Sequence, residues 1–283
     1  MSLNKSGGRE MKRLALIILL LLFMSVVAGC IGERSSTSTS PELTLKPKQP
    51  SREELLEGLK EIKQFTFIDN TSLKLNMTLV QGNLTQSQKV TLIYNRKGYL
   101  DFTERKAEIN ITTVVFPGGA STLTREVIVG NDVYVSVGGN WFKLTNESIG
   151  LPPSIVLNMT WKYNIVNFTM KYLSKEPYRV EFRNGTQFLY YNLTYEDLKA
   201  IFEGLLGRAS NMTTNLTGGV LELRFRGTSL IGGRAGYRVS THIWGERLGQ
   251  RFDVYEKGFV YDEFIITDVN VKKKVEAPSA FHA

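Results

Sequence analysis

Hydrophobic and polar residues alternate along most of the chain, in short runs that are separated by turn residues. In a β-strand successive side chains point to opposite faces, so each run gives a strand one apolar face and one polar face. This alternation is typical of antiparallel strands that pack one side on a core and expose the other to water. The clearest runs are Leu73-Leu75-Met77-Leu79, Val90-Leu92-Tyr94, Ile109-Ile111-Val115, Val133-Val135-Val137 and the segment from Val220 to Lys274.

Turn residues divide these runs at regular intervals. We predict turns at NRKG (95–98), PGG (117–119), VGND (129–132) and VGGN (137–140), which make the first half an antiparallel meander. GGRAG (232–236) is interpreted as a further turn between strands. In YRVEFRNGTQFLYYNL, the pair Asn184-Gly185 is the strongest signal for a tight hairpin.

Three segments have helical features. SREELLEGLKEIKQF begins with Ser51 and has Glu54 three residues later, the pattern of a capping box. TYEDLKAIFEGLLG predicts a second helix, capped by Thr194 and ended by Gly207. Residues 154–173 fit both a strand and a helix face, and we favour a helix because the segment is long and is flanked by Pro153 and Pro177.

The chain is rich in Asn-x-Ser/Thr triplets, the acceptor signal for N-glycosylation. In eight of them a large apolar residue occupies the middle position. On a strand this pattern would place Asn and Thr on the solvent-exposed face and the middle residue on the inner face. If residues 154–173 form a helix, this argument does not apply to Asn158 and Asn167. The predicted sites are Asn70, Asn76, Asn83, Asn110, Asn146, Asn158, Asn167, Asn184, Asn192, Asn211 and Asn215.

The N-terminal segment has the features of a secretory signal. Lys12 and Arg13 precede an apolar run that ends in Val-Ala-Gly-Cys at 27–30. A permanent membrane span is the alternative, disfavoured because a helix needs about twenty apolar residues to cross a bilayer. The segment resembles the lipobox of prokaryotic lipoproteins, which implies that Cys30, the single cysteine, is lipidated and becomes the first mature residue.

These features divide the chain into three parts. Residues 1–29 are the predicted signal peptide, residues 30–50 a lipidated cysteine with a Ser/Thr/Pro-rich tether, and residues 51–283 one folded domain. The expected location is the extracytoplasmic face of the cell membrane, with a lipid anchor. A lipobox together with dense N-glycosylation indicates an archaeal cell surface.

The residues do not indicate an enzyme. The two histidines, His242 and His282, have no second ligand at metal spacing, so we expect no metal site and no cofactor. Phosphate-binding and nucleophile motifs are absent from the sequence. The net charge of +8 includes no Lys/Arg cluster with interleaved aromatic residues, so a nucleic-acid partner is not expected. Lys272 to Lys274 is interpreted as a solvated strand end.

The order of elements resembles a known superfamily. A lipobox and tether come first, followed by a capped helix and a meander that ends in VYVSVGGNWFKL. A helical middle segment follows, then FLYYNLTYEDLKAIFEGLL, and then a last set of strands that ends in FIITDVNVKKKVEAP. This is similar to the lipoprotein carriers that include LolA, LolB, LppX and LprG. The resemblance implies an α+β fold: a large curved antiparallel sheet, or half-open barrel, with two or three helices packed on its concave face. It also implies an apolar cavity for acyl chains or lipidated proteins, and no catalytic residue.

Two hypotheses follow for the function. The chain is either a carrier of an apolar, lipid-like ligand or a structural surface glycoprotein with a filled core; its protein partner is unknown. A solute-binding transporter component is disfavoured because the sequence lacks alternating strand and helix units. The residues expected to line a cavity, if the barrel encloses one, are Leu75, Met77, Ile109, Ile111, Val135, Trp141, Phe202 and Leu205.

Overall fold

The computed structural model describes residues 49–146, 152–198, 212–247 and 250–281. They form one large, curved antiparallel sheet of eleven strands in the order β6-β5-β4-β3-β2-β1-β11-β10-β9-β8-β7. The sheet is not closed, so the α+β half-open barrel expected above is confirmed. The strands are β1 Gln64–Gln81, β2 Leu84–Asp101, β3 Lys106–Phe116, β4 Ala120–Val129, β5 Asp132–Val137, β6 Asn140–Lys143, β7 Arg179–Arg183, β8 Thr186–Leu193, β9 Met212–Arg226, β10 Ser229–Arg247 and β11 Gln250–Thr267.

The topology is two meanders joined at the middle of the sheet. Strands β1 to β6 pair in sequence order, as the first half of the pattern predicts. Strands β7 to β11 pair in the same way, and β11 returns to pair with β1 from Thr66 opposite Thr267 to Gln81 opposite Phe252. The longest strands therefore lie at the centre of the sheet, and β6 and β7 form its two edges.

The sheet is accompanied by helices α1 Arg52–Lys60, α2 Pro153–Trp161 and α3 Ile165–Leu173. The capping box of α1 is present, with Ser51 and Glu54 each accepting from the other's backbone amide. The segment 154–173 is helical, as favoured, with a break after Trp161. The interpretation of Asn158 and Asn167 as strand residues with an apolar neighbour facing inward is therefore wrong.

Asn164 explains the break between α2 and α3. Its side-chain oxygen accepts from the amide of Asn167 at 3.1 Å, which caps the start of α3. The predicted helix after Thr194 begins as expected, because residues 195–198 are helical and the Thr194 amide donates to Asp197 at 3.1 Å. The remainder of that predicted helix lies outside the described residues.

Two of the predicted turns are wrong. NRKG lies inside β2 and GGRAG lies inside β10. The glycines of β10 serve close packing of neighbouring strands instead: a Cβ atom on Gly233 would lie 2.6 Å from the carbonyl oxygen of Glu222. By contrast, glycines with positive φ occupy the predicted turns at 117–119, 129–132 and 137–140, and Asn184-Gly185 forms the predicted hairpin turn with φ of 50° and 72°.

Most of the hydrophobic core lies between the inner face of the sheet and the helices. A second, smaller cluster lies on the outer face, where Val275 packs on Tyr99, Val127 and Tyr134. The segment after β11 crosses this face, and the amide of Lys273 donates to the Tyr99 hydroxyl at 3.1 Å. The side chains of Lys272 to Lys274 are exposed beyond the end of β11. Within the described part of the chain, no helix has the length and apolar character needed to cross a bilayer.

Candidate functional site: an inner cavity

A cavity of about 110 Å³ lies between the inner face of β1–β4 and the helices α2 and α3. Its walls are mainly apolar and aromatic, with a few polar groups on the sheet side. The lining residues are Phe65, Phe67, Tyr94, Arg96, Leu100, Ile109, Ile111, Thr113, Thr124, Glu126, Val156, Met159, Thr160, Tyr163, Asn164 and Ile165.

The strand register brings the sheet-side residues together. Arg96 lies opposite both Asp69 of β1 and Ile111 of β3, and Ile111 lies opposite Thr124 of β4. Because side chains of directly paired residues point to the same face, this row runs across the cavity floor. A second row runs beside it and contains Phe67, Gly98, Ile109 and Glu126.

Gly98 gives the ring of Phe67 its position. A Cβ atom on Gly98 would lie 2.5 Å from the Phe67 Cε1 atom, closer than any side chain allows. The ring therefore lies directly over the glycine in the neighbouring strand. This close approach makes one aromatic wall of the cavity.

Buried charges lie at the base of the cavity. The Arg96 guanidinium donates to the carboxylate of Asp69, which is fully buried. Nearby, the Thr71 hydroxyl donates to Asp262 at 2.6 Å. Burial lowers the pKa of Arg96, whereas the charges of Asp262 and Glu126 act in the opposite direction. An arginine stays protonated in proteins, so Arg96 is a fixed positive charge.

Glu126 is the carboxyl group that faces the cavity. The residue is only 5% exposed, and none of the described residues forms a hydrogen bond or an ion pair with its side chain. Burial raises the pKa of Glu126 from 4.5 to about 7, and the charge of Arg96 partly opposes this shift. Its protonation state therefore changes close to neutral pH.

Two polar side chains on the helix side, those of Thr160 and Asn164, already bond to the helix backbone. The Thr160 hydroxyl donates to the Val156 carbonyl at 2.9 Å, and the Asn164 amide nitrogen donates to the Thr160 carbonyl at 3.1 Å. On the sheet side the Tyr94 hydroxyl is buried without a hydrogen-bond partner in the described chain, and burial raises its pKa. The sheet side of the cavity thus has unused hydrogen-bonding capacity.

The structure places the predicted lining residues at several locations. Ile109 and Ile111 line the cavity. Leu75 is buried in the core, and Met77 and Val135 pack against that core outside the cavity lining. Trp141 packs on the outer cluster around Tyr134. Phe202 and Leu205 lie outside the described residues.

Sequence reasoning missed Arg96 and Glu126 as cavity residues. Arg96 falls in NRKG, whose polar and glycine residues predict a turn. A signal was nevertheless present, because Leu92, Tyr94, Arg96, Gly98 and Leu100 continue the same period of two. On β4, Thr124, Glu126 and Ile128 share the same spacing of two and therefore the same face.

The predicted glycosylation sites lie at the surface wherever they are described. Of the strand sites, Asn70, Asn76, Asn192 and Asn215 are exposed and Asn110 is half-buried. Asn83, Asn146, Asn158 and Asn184 are also exposed, and Asn167 is half-buried. Asn211 and Cys30 lie outside the described residues.

The described residues contain no group of three or more potential metal ligands. His242 instead bonds to Asp253, with 2.8 Å between Nε2 and Oδ1, and its ring stacks on Tyr255 at 4.3 Å. His242 is therefore a half-buried histidine with a carboxylate partner. His282 lies outside the described residues.

The fold and the site together define an open antiparallel half-barrel with an apolar inner cavity and buried charges at its base. No family model matches the sequence, and no curated protein matches it. Among solved structures, LprF from Mycobacterium bovis is similar with a TM-score of 0.37 and 11% identity, over 82% of this chain and 99% of that one. A DUF1329 family protein from Desulfovibrio piger has a TM-score of 0.21 and 8% identity, over 80% of this chain and 96% of that one. Because both TM-scores are low, the site is interpreted from its own geometry.

Proposed function

We propose that this chain is a membrane-anchored, N-glycosylated surface lipoprotein that binds or carries an apolar, lipid-like ligand. The observation that carries the proposal is the cavity between the inner face of the sheet and α2, which is lined mainly by apolar and aromatic side chains. Ligand pockets are concave and mostly apolar, with a few polar groups that fix orientation. The proposed role is binding without catalysis or a cofactor.

The cavity as it stands accepts only part of a lipid. Its volume is about 110 Å³, whereas pockets for whole ligands measure about 300–1,000 Å³. An apolar cavity of about 150 Å³ is enough to bind benzene, so the space suits the end of an apolar chain. A longer ligand therefore requires part of the wall to move.

Helix α2 is the part of the wall best suited to move. It buries only Val156 and Thr160, whereas α3 buries six residues. The α2 N-cap residue, Pro152, also provides no side-chain hydrogen bond. Since buried apolar area is the main source of stability, α2 is held less firmly than α3. Displacement of α2 would lengthen the cavity without disrupting the sheet.

The anchoring part of the proposal rests on the sequence. Cys30 ends a signal of lipobox type, and the tether that follows could reach about 60 Å if extended. The domain would then sit away from the membrane while staying attached, on the surface of an archaeal cell. Replacing Cys30 with Ser should release the protein from membranes; continued tight attachment would contradict the anchor.

Native mass spectrometry of deglycosylated protein from its own host tests the binding proposal. We expect a co-purifying lipid on the wild-type chain. Ile111→Trp should fill the cavity and remove the lipid. Leu123→Trp is the matched control, because Leu123 is on the neighbouring strand, faces outward and is 61% exposed. A bare wild-type chain after gentle extraction, or equal lipid on both variants, would contradict the proposal.

The alternative is a structural surface glycoprotein with no ligand. The small volume of the cavity favours this alternative over a carrier of whole lipids. The two functions differ in their response to an added apolar compound: the melting temperature of a carrier rises as the ligand concentration rises, whereas that of a spacer does not. Thermal unfolding with and without added lipid therefore distinguishes them.

A further inference from the structure

The chemistry of the ligand's polar end follows from the charges around the cavity, provided that the proposed function holds. The cavity has apolar walls, so a ligand places its apolar part there. Its polar end must then meet a polar group of the lining that is not already satisfied. The charged lining residues among those the structure describes are Arg96, whose guanidinium bonds to Asp69, and Glu126, whose carboxyl group has no hydrogen bond to them.

Glu126 lies on β4, lines the cavity and is only 5% exposed to solvent. Its direct neighbours across the sheet are Ile109 on β3 and Val135 on β5, and neither can form a hydrogen bond through its side chain. The break between α2 and α3 contributes Tyr163 and Asn164 to the lining, and the Asn164 amide nitrogen already donates to the Thr160 carbonyl. A buried carboxyl group without a partner is costly, and a ligand donor would remove that cost.

Arg96 does not make the cavity a site for anions. Its guanidinium is engaged by Asp69, and Asp262 also acts on it electrostatically. Three carboxyl groups, those of Asp69, Asp262 and Glu126, thus surround one guanidinium. A carboxylate or phosphate on the ligand would add a negative charge beside Glu126 in a site with little water, which is unfavourable.

We propose that Glu126 is the polar contact for the ligand, and that the ligand carries an apolar chain ending in a hydrogen-bond donor without negative charge, a hydroxyl or an amine. The donor bonds to the Glu126 carboxyl group, and the chain lies between Phe67, Ile111 and α2. The site thus selects against fatty acids and phospholipids that would enter with an anionic end.

Three probes with the same ten-carbon chain test this selectivity: decanol, decylamine and decanoate. Binding to the full folded domain is measured at pH 8 by displacement of an uncharged fluorescent naphthylamine. Because hydrogen bonds to charged groups are the stronger kind, we expect decylamine to bind about tenfold or more tightly than decanoate, with decanol between them. Equal or tighter binding of decanoate overturns the inference.

Glu126→Gln should weaken decylamine binding about tenfold and narrow the difference between the three probes. The matched control is Glu256→Gln, because Glu256 is also buried, at 1% exposure, and is not part of the cavity lining. It should leave the ranking unchanged. If Glu126→Gln keeps the wild-type ranking, Glu126 is not the contact and the inference fails.

The same experiment separates this inference from the proposed function. If no probe displaces the dye from the wild-type chain, the binding function itself fails. If all three bind equally well, the binding function stands and the selectivity fails. The wild-type ranking needs no variant, so it decides the selectivity even if Glu126→Gln does not fold.

Discussion

The guanidinium of Arg96 donates a hydrogen bond to the carboxylate of Asp69, the residue directly opposite it on the neighbouring strand. Asp69 is fully buried, so this bond compensates a charge that has no access to water. Arg96→Met would leave that charge unpaired. We expect a loss of about 3–5 kcal/mol in the free energy of unfolding, measured by urea denaturation.

A surface pair on the same sheet provides the control. Arg251 bonds to Asp253 at 3.0 Å, but its side chain is 72% exposed. Arg251→Met should change the free energy of unfolding far less than Arg96→Met does, because exposed ion pairs contribute little. Equal losses in the free energy of unfolding for the two variants would mean that burial does not determine how much the Arg96–Asp69 pair stabilises the fold.

The alternation of side chains was enough to predict the sheet. Leu73 and Leu75 on β1 and Leu92 and Tyr94 on β2 are all buried on the inner face, as their spacing requires. The meander followed from the short connections between such runs. The long strands were harder to predict, because turn residues such as Asn95 and Gly98 occur inside β2.

The site could be predicted only in part. Ile109 and Ile111 were expected in the cavity because they lie on the apolar face of β3. The positions of Arg96 and Glu126 depend on which residues lie opposite them across the sheet, and on α2, which is distant in sequence and covers them. The register of pairing and the docking of a remote helix are tertiary properties that local patterns do not specify.

The raised pKa of Glu126 predicts a pH-dependent stability. Burial raises this pKa from 4.5 to about 7 in the folded chain. Folding therefore favours the protonated form of Glu126. Its contribution to the free energy of unfolding is fully present below about pH 4.5 and is lost as the pH rises through 7. Glu126→Gln should be more stable than wild type at pH 8, by up to about 3 kcal/mol, and nearly equal to it at pH 4.

Glu104 provides a control of opposite sign. Hydrogen bonds from Lys106 and Lys272 lower the pKa of Glu104 from 4.5 to about 2. Its stabilising contribution is present above pH 4.5 and is lost as the pH falls through 2. Urea unfolding at pH 8 should thus find Glu104→Gln less stable than wild type. If Glu126→Gln also loses stability at pH 8, the surroundings of Glu126 stabilise its carboxylate, and the raised pKa is contradicted.

Gly98→Ala should change both stability and binding. The added methyl group would meet the Phe67 ring, whose Cε1 atom lies 2.5 Å from the ideal Cβ position, and push the ring toward the cavity. We expect a destabilisation of about 1–3 kcal/mol, as for other overpacked cores, and weaker binding of decanol.

Gly245→Ala is the matched control for this effect. A Cβ atom on Gly245 would also meet an aromatic ring, that of Phe252 at 2.8 Å, but neither residue lines the cavity. Both variants should be destabilised in urea, whereas only Gly98→Ala should lose affinity for decanol in the dye-displacement assay. Equal loss of affinity would mean that binding responds to general loosening of the sheet.

Glycan occupancy should differ between two of the predicted sites. The sugar attaches to the side-chain amide nitrogen of asparagine. In Asn167 this nitrogen donates to the Trp161 carbonyl at 2.9 Å, across the break between α2 and α3, and the residue is half-buried. Asn76 is exposed on the outer face of β1. We therefore expect high occupancy at Asn76 and little or none at Asn167, measured by glycopeptide mass spectrometry of protein from its own host.

The roles of the two asparagines can also be separated by substitution. Asn167→Gln should remove the bond to Trp161 and cost about 1 kcal/mol in the free energy of unfolding, with no change in glycan mass. Asn76→Gln should remove one glycan and leave the stability of the deglycosylated chain unchanged, because its side chain lies in solvent. A fully occupied Asn167 would mean that its amide nitrogen is accessible when the sugar is attached, despite its hydrogen bond to the Trp161 carbonyl.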